Sequence, residues 1–181
     1  MSLAGDACHV TSGTTSYEWD GVPEIWQSAI WFPFLVGGAI LAGAYAAERA
    51  PLPPPVRVRR RVDVPAGAGA VLALYALTAA LRGEPTTVAV VLTGAIAIAI
   101  WSWWDPSPRA LALAVVAAVL GPLAEIVVVG IGAASYARDA DELGGVGPWL
   151  PAIYFAAGAV ASSLWAAVER DGHSSVGSPD A

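Results

Sequence analysis

Long apolar runs alternate with short charged segments along the chain. Five runs carry no charged side chain apart from Glu125 in the fourth, and they cover residues 25–47, 64–81, 85–104, 110–137 and 143–168. A helix of about 20 apolar residues crosses the roughly 30 Å hydrocarbon core of a bilayer. The pattern therefore predicts an all-α fold, a polytopic transmembrane helix bundle with five spans.

The polar segments divide the chain into three predicted regions. Residues 1–22 lack the basic start and apolar stretch of a signal peptide, so we expect a polar extracytoplasmic segment. Residues 23–170 form the transmembrane helical domain. Its first two helices are joined by a stiff basic connection over residues 51–65, PLPPPVRVRRRVDVP. Residues 171–181 are rich in Gly and Ser and are predicted to be a disordered cytoplasmic tail.

The arginines predict the orientation, because cytoplasmic loops of membrane proteins are enriched in Lys and Arg. With the N-terminus outside, the inner face collects Arg49, Arg57, Arg59, Arg60, Arg61, Arg109 and Arg170. The outer face keeps Arg82 and Arg138, beside acids that include Glu18, Asp20 and Glu24. We expect a multi-pass cell-membrane protein with an outside N-terminus and a cytoplasmic C-terminus.

Composition supports a membrane protein and excludes several other classes. Apolar residues make up 56% of the 181 residues and charged residues only 13%, where a soluble domain has about 25% charged residues. The net charge of −6 excludes a nucleic-acid binder that works by a basic surface. No catalytic constellation, metal-ligand cluster or phosphate loop is present, so we expect no enzyme, no metal and no cofactor. The lone Cys8 and its neighbour His9 are interpreted as part of a disordered polar tail rather than as a site.

Most of the tryptophans lie near predicted helix ends, where interfacial aromatic belts occur. We expect belt positions for most of a set that comprises Trp26, Trp31, Phe32, Trp101, Trp103, Trp104, Trp149 and Trp165.

Glu125 and Asp105 are the candidate functional acids. Glu125 lies inside the fourth run, about 24 Å from Arg109 along a helix and hence in the outer half of the bilayer. Such a carboxylate faces a functional cavity, bonds to a neighbouring helix or takes part in proton coupling. Asp105 precedes Pro106 and Pro108, which indicates a turn, and it is alternatively an exposed cytoplasmic carboxylate for a partner.

Four segments in one consistent order resemble the Insig (insulin-induced gene) family over about residues 21–170. They are QSAIWFPFLVGGAILAG, AAERAPLPPP, IAIAIWSWWDPSPRALALAV and GPWLPAIYFAAGAVASSLWAAVER. The resemblance implies a prokaryotic homologue of a six-helix family whose first helix this chain lacks. It also implies a lipid-accessible cavity, which in animal members binds oxysterols, and sterol-regulated membrane-protein partners.

The resemblance assigns roles to four residues. Asp105 matches the family's cytoplasmic Asp that binds partners, and Trp101 matches a tryptophan of the sterol-pocket helix. Glu125 aligns with a membrane-embedded Gln, and Val88 replaces a Gln that reads the sterol. That replacement, with Pro106 in place of a basic residue, makes lipid binding a firmer expectation than sterol regulation.

Three functions follow as hypotheses. The first is a non-enzymatic protein that binds a diacylglycerol-like or sterol-like membrane lipid in a cavity between helices, as a lipid sensor or regulator of a cytoplasmic-side membrane-protein partner. The second is a small proton-coupled transporter or permease subunit that uses Glu125. The third is a membrane scaffold or assembly protein that acts through the cluster 57–61, either on a partner or on anionic lipid. Otherwise this cluster is a topology anchor. Small-residue helix faces allow a homo-oligomer, for which a trimer is one candidate.

Overall fold

The structure, a computed structural model, describes residues 2–17, 23–49, 51–57 and 63–174. Several residues that bear on the predicted orientation and tail lie outside this description: Glu18, Asp20, Arg59, Arg60, Arg61 and residues 175–181. The side chains of Trp165 and Arg170 lie outside it as well.

The described residues form six helices and four short strands. In chain order they are α1 (Ser2–Thr11), β1 (Thr15–Tyr17), β2 (Glu24–Ile25), β3 (Ser28–Ala29), α2 (Phe32–Arg49), α3 (Val64–Ala80), α4 (Thr86–Trp104), α5 (Pro108–Gly130), β4 (Ala134–Tyr136) and α6 (Leu150–Ser174). Helices α2 to α6 correspond one to one with the five predicted runs. Helix α6 extends to Ser174, which lies within the segment predicted as a tail.

Helix starts follow from local sequence. Pro65 and Pro108 stand in the first turns of α3 and α5, where a missing N–H costs nothing. The side chain of Ser107 caps α5 by accepting a hydrogen bond from the Ala110 N–H at 3.1 Å. Gly83, with a φ of +91°, makes the turn between α3 and α4, because a left-handed backbone favours glycine.

Two helices, α4 and α5, are long and apolar enough to cross a membrane. Both also expose many large aliphatic side chains, as a lipid-facing helix does and the core helix of a soluble protein does not. The apolar parts of the other three are shorter, namely Phe32–Gly43, Val64–Ala80 and Leu150–Ser162. Length and composition thus give two membrane-capable helices among the five predicted spans.

Helix α6 packs against α4 and α5 at the centre of the fold. A Cβ at Gly158 would stand 2.8 Å from the Leu113 carbonyl and 2.9 Å from the Ala117 Cβ, so α5 and α6 lie nearly backbone to backbone. This is the small-residue packing typical of membrane helices. Phe32, Trp104 and Trp149 are buried inside the fold rather than placed in an interfacial belt, which corrects the prediction for these three residues.

The N-terminal residues are folded and do not form the expected disordered tail around Cys8 and His9. Helix α1 packs against α3, and β1 pairs antiparallel with β4, which follows α5. His9 is only 2% exposed, and its Nε2 lies 2.7 Å from the Thr78 hydroxyl. Because that hydroxyl donates to the Tyr75 carbonyl, it accepts from the Nε2–H of His9.

Candidate functional site

A tyrosine of α6 reaches Glu125 because α5 carries a glycine, Gly121, one turn before it. At Gly121 the ring of Tyr154 lies against the α5 backbone, in space that any Cβ would occupy. This approach brings the Tyr154 hydroxyl to Glu125 Oε1, to which it donates at 2.8 Å. The close approach at Gly121 is thus made by one aromatic side chain.

The second carboxylate oxygen of Glu125 is bonded from the segment after α5. The hydroxyl of Tyr136, in β4, donates to Oε2 at 2.9 Å. Two tyrosines from two different elements therefore fix the carboxyl group. This is the hydrogen-bonding arrangement expected for a buried acid that contacts neighbouring elements.

Glu125 also lines a cavity between α1, β1, α2, α5 and β4. This cavity is an open cleft: about 290 Å³ of empty space lies in it when the open mouth is counted, but the enclosed volume is only about 10 Å³, room for roughly one water molecule. It is lined by Asp6, Thr15, Tyr17, Trp31, Phe32, Leu35, Glu125, Val128, Ala134 and Tyr136. One part of this wall is polar and acidic, and the other is aromatic and aliphatic.

Asp6 is the second acid of the cavity and is held much as Glu125 is. The Tyr17 hydroxyl donates to its Oδ2 at 2.6 Å, and the Tyr17 ring in turn contacts Trp31 edge to face. Burial raises the pKa of the Asp6 carboxyl, and the bond from Tyr17 offsets this only in part. Asp6 thus presents a desolvated carboxyl group toward the same space as Glu125.

The polar wall favours ligands that donate hydrogen bonds. None of the described lining residues is basic, so no side chain there pairs with a phosphate or a carboxylate. The Thr15 hydroxyl is buried and has no hydrogen-bond partner within the described part of the chain. A hydroxyl-bearing head group satisfies such a wall better than an anion does, because buried polar groups need partners and like charges repel.

The structure does not bring the other two predicted lipid-binding residues to this cavity. Val88 lies in the first turn of α4 and is 39% exposed. Trp101 lies in the last turn of the same helix, where its indole Nε1 is buried without a partner among the described residues. Neither lines the cavity with Glu125, so the two remain predictions from the resemblance.

Asp105 forms the predicted turn, but it is not the exposed carboxylate that the alternative requires. It is 0% exposed. Its Oδ1 accepts from the backbone N–H groups of Val56 and Arg57, each at 3.1 Å, and its Oδ2 accepts from the Ser107 hydroxyl at 2.9 Å. A partner therefore cannot touch this carboxylate directly without opening the turn.

Sequence reasoning missed Asp6, Thr15 and Tyr17, because residues 1–22 were interpreted as a solvated segment. One signal was available, since Asp6 and His9 are spaced by three residues and share a face of a short helix. Tyr136 and Tyr154 were also missed. A signal was available for them as well, because a buried acid needs hydrogen-bond donors and few tyrosines are present nearby to donate. Within the described residues, no group of three His, Cys, Asp or Glu side chains is placed to hold a metal.

Comparisons with known proteins identify relatives across nearly the whole chain, although no family model matches. An INSIG protein homolog of Mycolicibacterium vanbaalenii is 40% identical over 166 residues, which are 90% of this chain and 78% of the relative. The crystal structure of the mycobacterial Insig homolog MvINS from Mycobacterium vanbaalenii superposes with a TM-score of 0.85 and 38% identity, covering 93% of this chain and 88% of that one. A cross-linked trimer of an Arg-to-Cys variant of MvINS matches with the same TM-score, identity and coverage.

Proposed function

The chain belongs to the Insig family, and on that basis we propose that it is a multi-pass membrane protein that binds a membrane lipid in a cavity between its helices. Helices α2 to α6 act as the five spans, with the N-terminus outside and the C-terminus in the cytoplasm. The arginine distribution supports this orientation, because Arg49, Arg57 and Arg109 would lie on the cytoplasmic side. The protein is not an enzyme in this proposal.

One observation carries the lipid proposal: the cavity at Glu125 combines an acidic wall with an apolar one. Acyl carbons next to the head group contact Trp31, Phe32 and Leu35, and the chains continue into the bilayer. Head-group hydroxyls donate to the carboxyl groups of Asp6 and Glu125. The ligand is diacylglycerol-like or sterol-like, because a neutral hydroxyl-bearing head suits an acidic wall.

Affinity comes from the head group. Moving acyl carbon from lipid tails to an apolar wall gains little, since both surroundings are apolar. Each hydrogen bond to the head adds roughly 0.5–1.5 kcal/mol. A ligand lacking hydroxyl donors should therefore bind no better than bulk lipid.

Mass spectrometry of the lipid that co-purifies with detergent-washed protein tests the proposal. We expect the wild type to carry a neutral hydroxyl-bearing lipid enriched over its share of the membrane, and Glu125→Gln to lose that enrichment. Exposed Glu84, changed to Gln, is the matched control and should retain it. Bulk lipids in bulk proportions on the wild type, or identical profiles for wild type and Glu125→Gln, would contradict the proposal.

A second candidate function, proton-coupled transport, is favoured by the same pair of acids facing an open cavity. It predicts a pH-driven flux in reconstituted vesicles that Glu125→Gln abolishes. Lipid enrichment without such a flux supports the lipid-binding function over transport.

Assembly and regulation complete the proposal. The cross-linked trimer of MvINS supports a homo-oligomer here, with three copies as the proposed number. Bound lipid would then regulate a membrane-protein partner on the cytoplasmic side, with the Asp105 region taking part. Trp101 and Val88 are assigned to the lipid site by family resemblance alone.

A further inference from the structure

Asp105 is a buried acid that joins three segments at one end of the bundle. It follows α4 directly, and its carboxylate accepts from the Val56 and Arg57 N–H groups, which lie in the connection after α2. It also accepts from the Ser107 N–H at 3.3 Å and from the Ser107 hydroxyl, and Ser107 caps α5. The Asp105 carboxylate thus accepts four hydrogen bonds inside the fold.

Arg57 makes a second attachment at the same place. Its guanidinium donates to the carbonyls of Ser102 and Trp103, in the last turn of α4. A cation there is favoured, because unpaired carbonyls give a helix C-terminus a partial negative charge. Residues 56 and 57 are therefore fixed to the end of α4 by both backbone and side chain.

The surface that results is both basic and apolar, and we call it the inner corner: Val56, Arg57 and Trp103, together with Arg109 in the first turn of α5, two residues after Ser107. Val56 is 68% exposed and Trp103 is 50% exposed. The Arg109 Nε is buried without a hydrogen-bond partner among the described residues.

We propose that the inner corner binds the phosphate of anionic phospholipids, and that Asp105 is the positioning residue that holds the corner together. The position of the inner corner relative to the bilayer favours a lipid over an acidic protein as the ligand. Helix α4 has 19 residues and is long enough to cross a membrane, so its end lies at the level of the head groups. Exposed Trp and Arg side chains at that level are typical of a bilayer interface with anionic lipid.

On this proposal, removing Asp105 changes anion binding in the direction opposite to the one its charge predicts. Removing a carboxylate from a basic surface should by electrostatics alone strengthen the binding of an anion. If Asp105 fixes the segment that carries Arg57, its removal weakens binding instead. Each arginine near an anionic surface changes affinity about fivefold, so release of the connection should cost at least that factor.

The test is native mass spectrometry of the full chain in detergent with equimolar phosphatidylglycerol and phosphatidylcholine of identical acyl chains. The wild type should prefer phosphatidylglycerol, and Asp105→Ala should lose about fivefold or more of that preference. Asp105→Asn keeps one oxygen to accept from Val56 and Arg57 and should restore part of it. Glu84→Ala, which removes an exposed acid elsewhere, should leave the preference unchanged.

Arg57→Gln keeps Asp105 intact and serves as the second variant should Asp105→Ala not fold. It should also reduce the preference for phosphatidylglycerol. A preference that is unchanged or increased in either variant, with thermal unfolding like that of the wild type, would overturn the proposal, as would a wild type with no preference. Glu125→Gln should leave the preference intact, so the outcome is independent of the lipid cavity.

Discussion

Replacing Gly121 with alanine should loosen the link between α5 and α6 and displace a tyrosine from Glu125. A Cβ there would overlap three atoms of the Tyr154 ring, the farthest of them at 2.5 Å, whereas real Cβ contacts stay beyond 3.0 Å. The nearest ring atom must therefore retreat by most of an ångström, and overpacking of this kind costs roughly 1–3 kcal/mol. Its hydroxyl, now 2.8 Å from Glu125 Oε1, would retreat with it.

The net effect combines three contributions. Overpacking and the weakened hydrogen bond, the latter about 0.5–1.5 kcal/mol, both destabilise the protein. Alanine returns up to about 1 kcal/mol of helix propensity. We expect a net loss near 2 kcal/mol, which lowers the melting temperature by about 4–8 °C for a chain of this size.

Thermal unfolding in one detergent measures the effect, with Gly130→Ala as the matched control. Gly130 lies on the same helix, and a Cβ there meets nothing within 4 Å. Its replacement should therefore be neutral or slightly stabilising. Equal melting temperatures for the two variants would refute the packing explanation, as would a Gly121→Ala loss that Tyr154→Leu fails to relieve.

Three further predictions concern the same helices and the N-terminal segment. Tyr154→Phe should destabilise the protein by about 1 kcal/mol in thermal unfolding, with no further loss when Glu125→Ala, which removes the acceptor, is already present. Gly158→Ala should destabilise it by roughly 1–3 kcal/mol, because the added methyl meets the α5 backbone, which moves less easily than a side chain. Burial lowers the pKa of His9 to about 4, below the unfolded value near 6.5, so its contribution to stability is full above pH 6.5 and is lost as the pH falls toward 4. The difference in unfolding free energy between wild type and His9→Gln should therefore shrink by up to about 3 kcal/mol as the pH falls over that interval, and their melting temperatures should converge. A difference that stays constant with pH would contradict a buried neutral His9.

The apolar runs contained enough information to locate the long helices. Each run is bounded by charges or prolines that end a helix, so α2 to α6 were predicted one to one. Periodicity, in contrast, says little in a chain that is apolar on every side. Trp104 illustrates this, because its place at a helix end predicted a position at the membrane interface. Its ring instead packs into the core, in the space beside Gly67.

Polar residues near the chain's beginning could not be interpreted locally. Asp6 and His9 indicate a solvated segment until α3 and β1 are in place to supply Thr78 and Tyr17 as partners. Asp105 could not be interpreted locally either, because a carboxylate before two prolines is typical of an exposed turn. Its burial depends on Val56 and Arg57, about fifty residues earlier, and no local pattern reports that contact.

Photo-crosslinking with a diacylglycerol that carries a diazirine beside its head group tests the central claim most directly. If the lipid head lies between α1, α2 and α5, labelled peptides should contain Tyr17, Trp31 or Glu125, and an excess of unlabelled lipid should prevent the labelling. Glu125→Gln should reduce it, while Glu84→Gln should not. Labelling spread evenly over the exposed faces of α4 and α5, insensitive to competitor and to Glu125→Gln, would contradict a lipid site in this cavity.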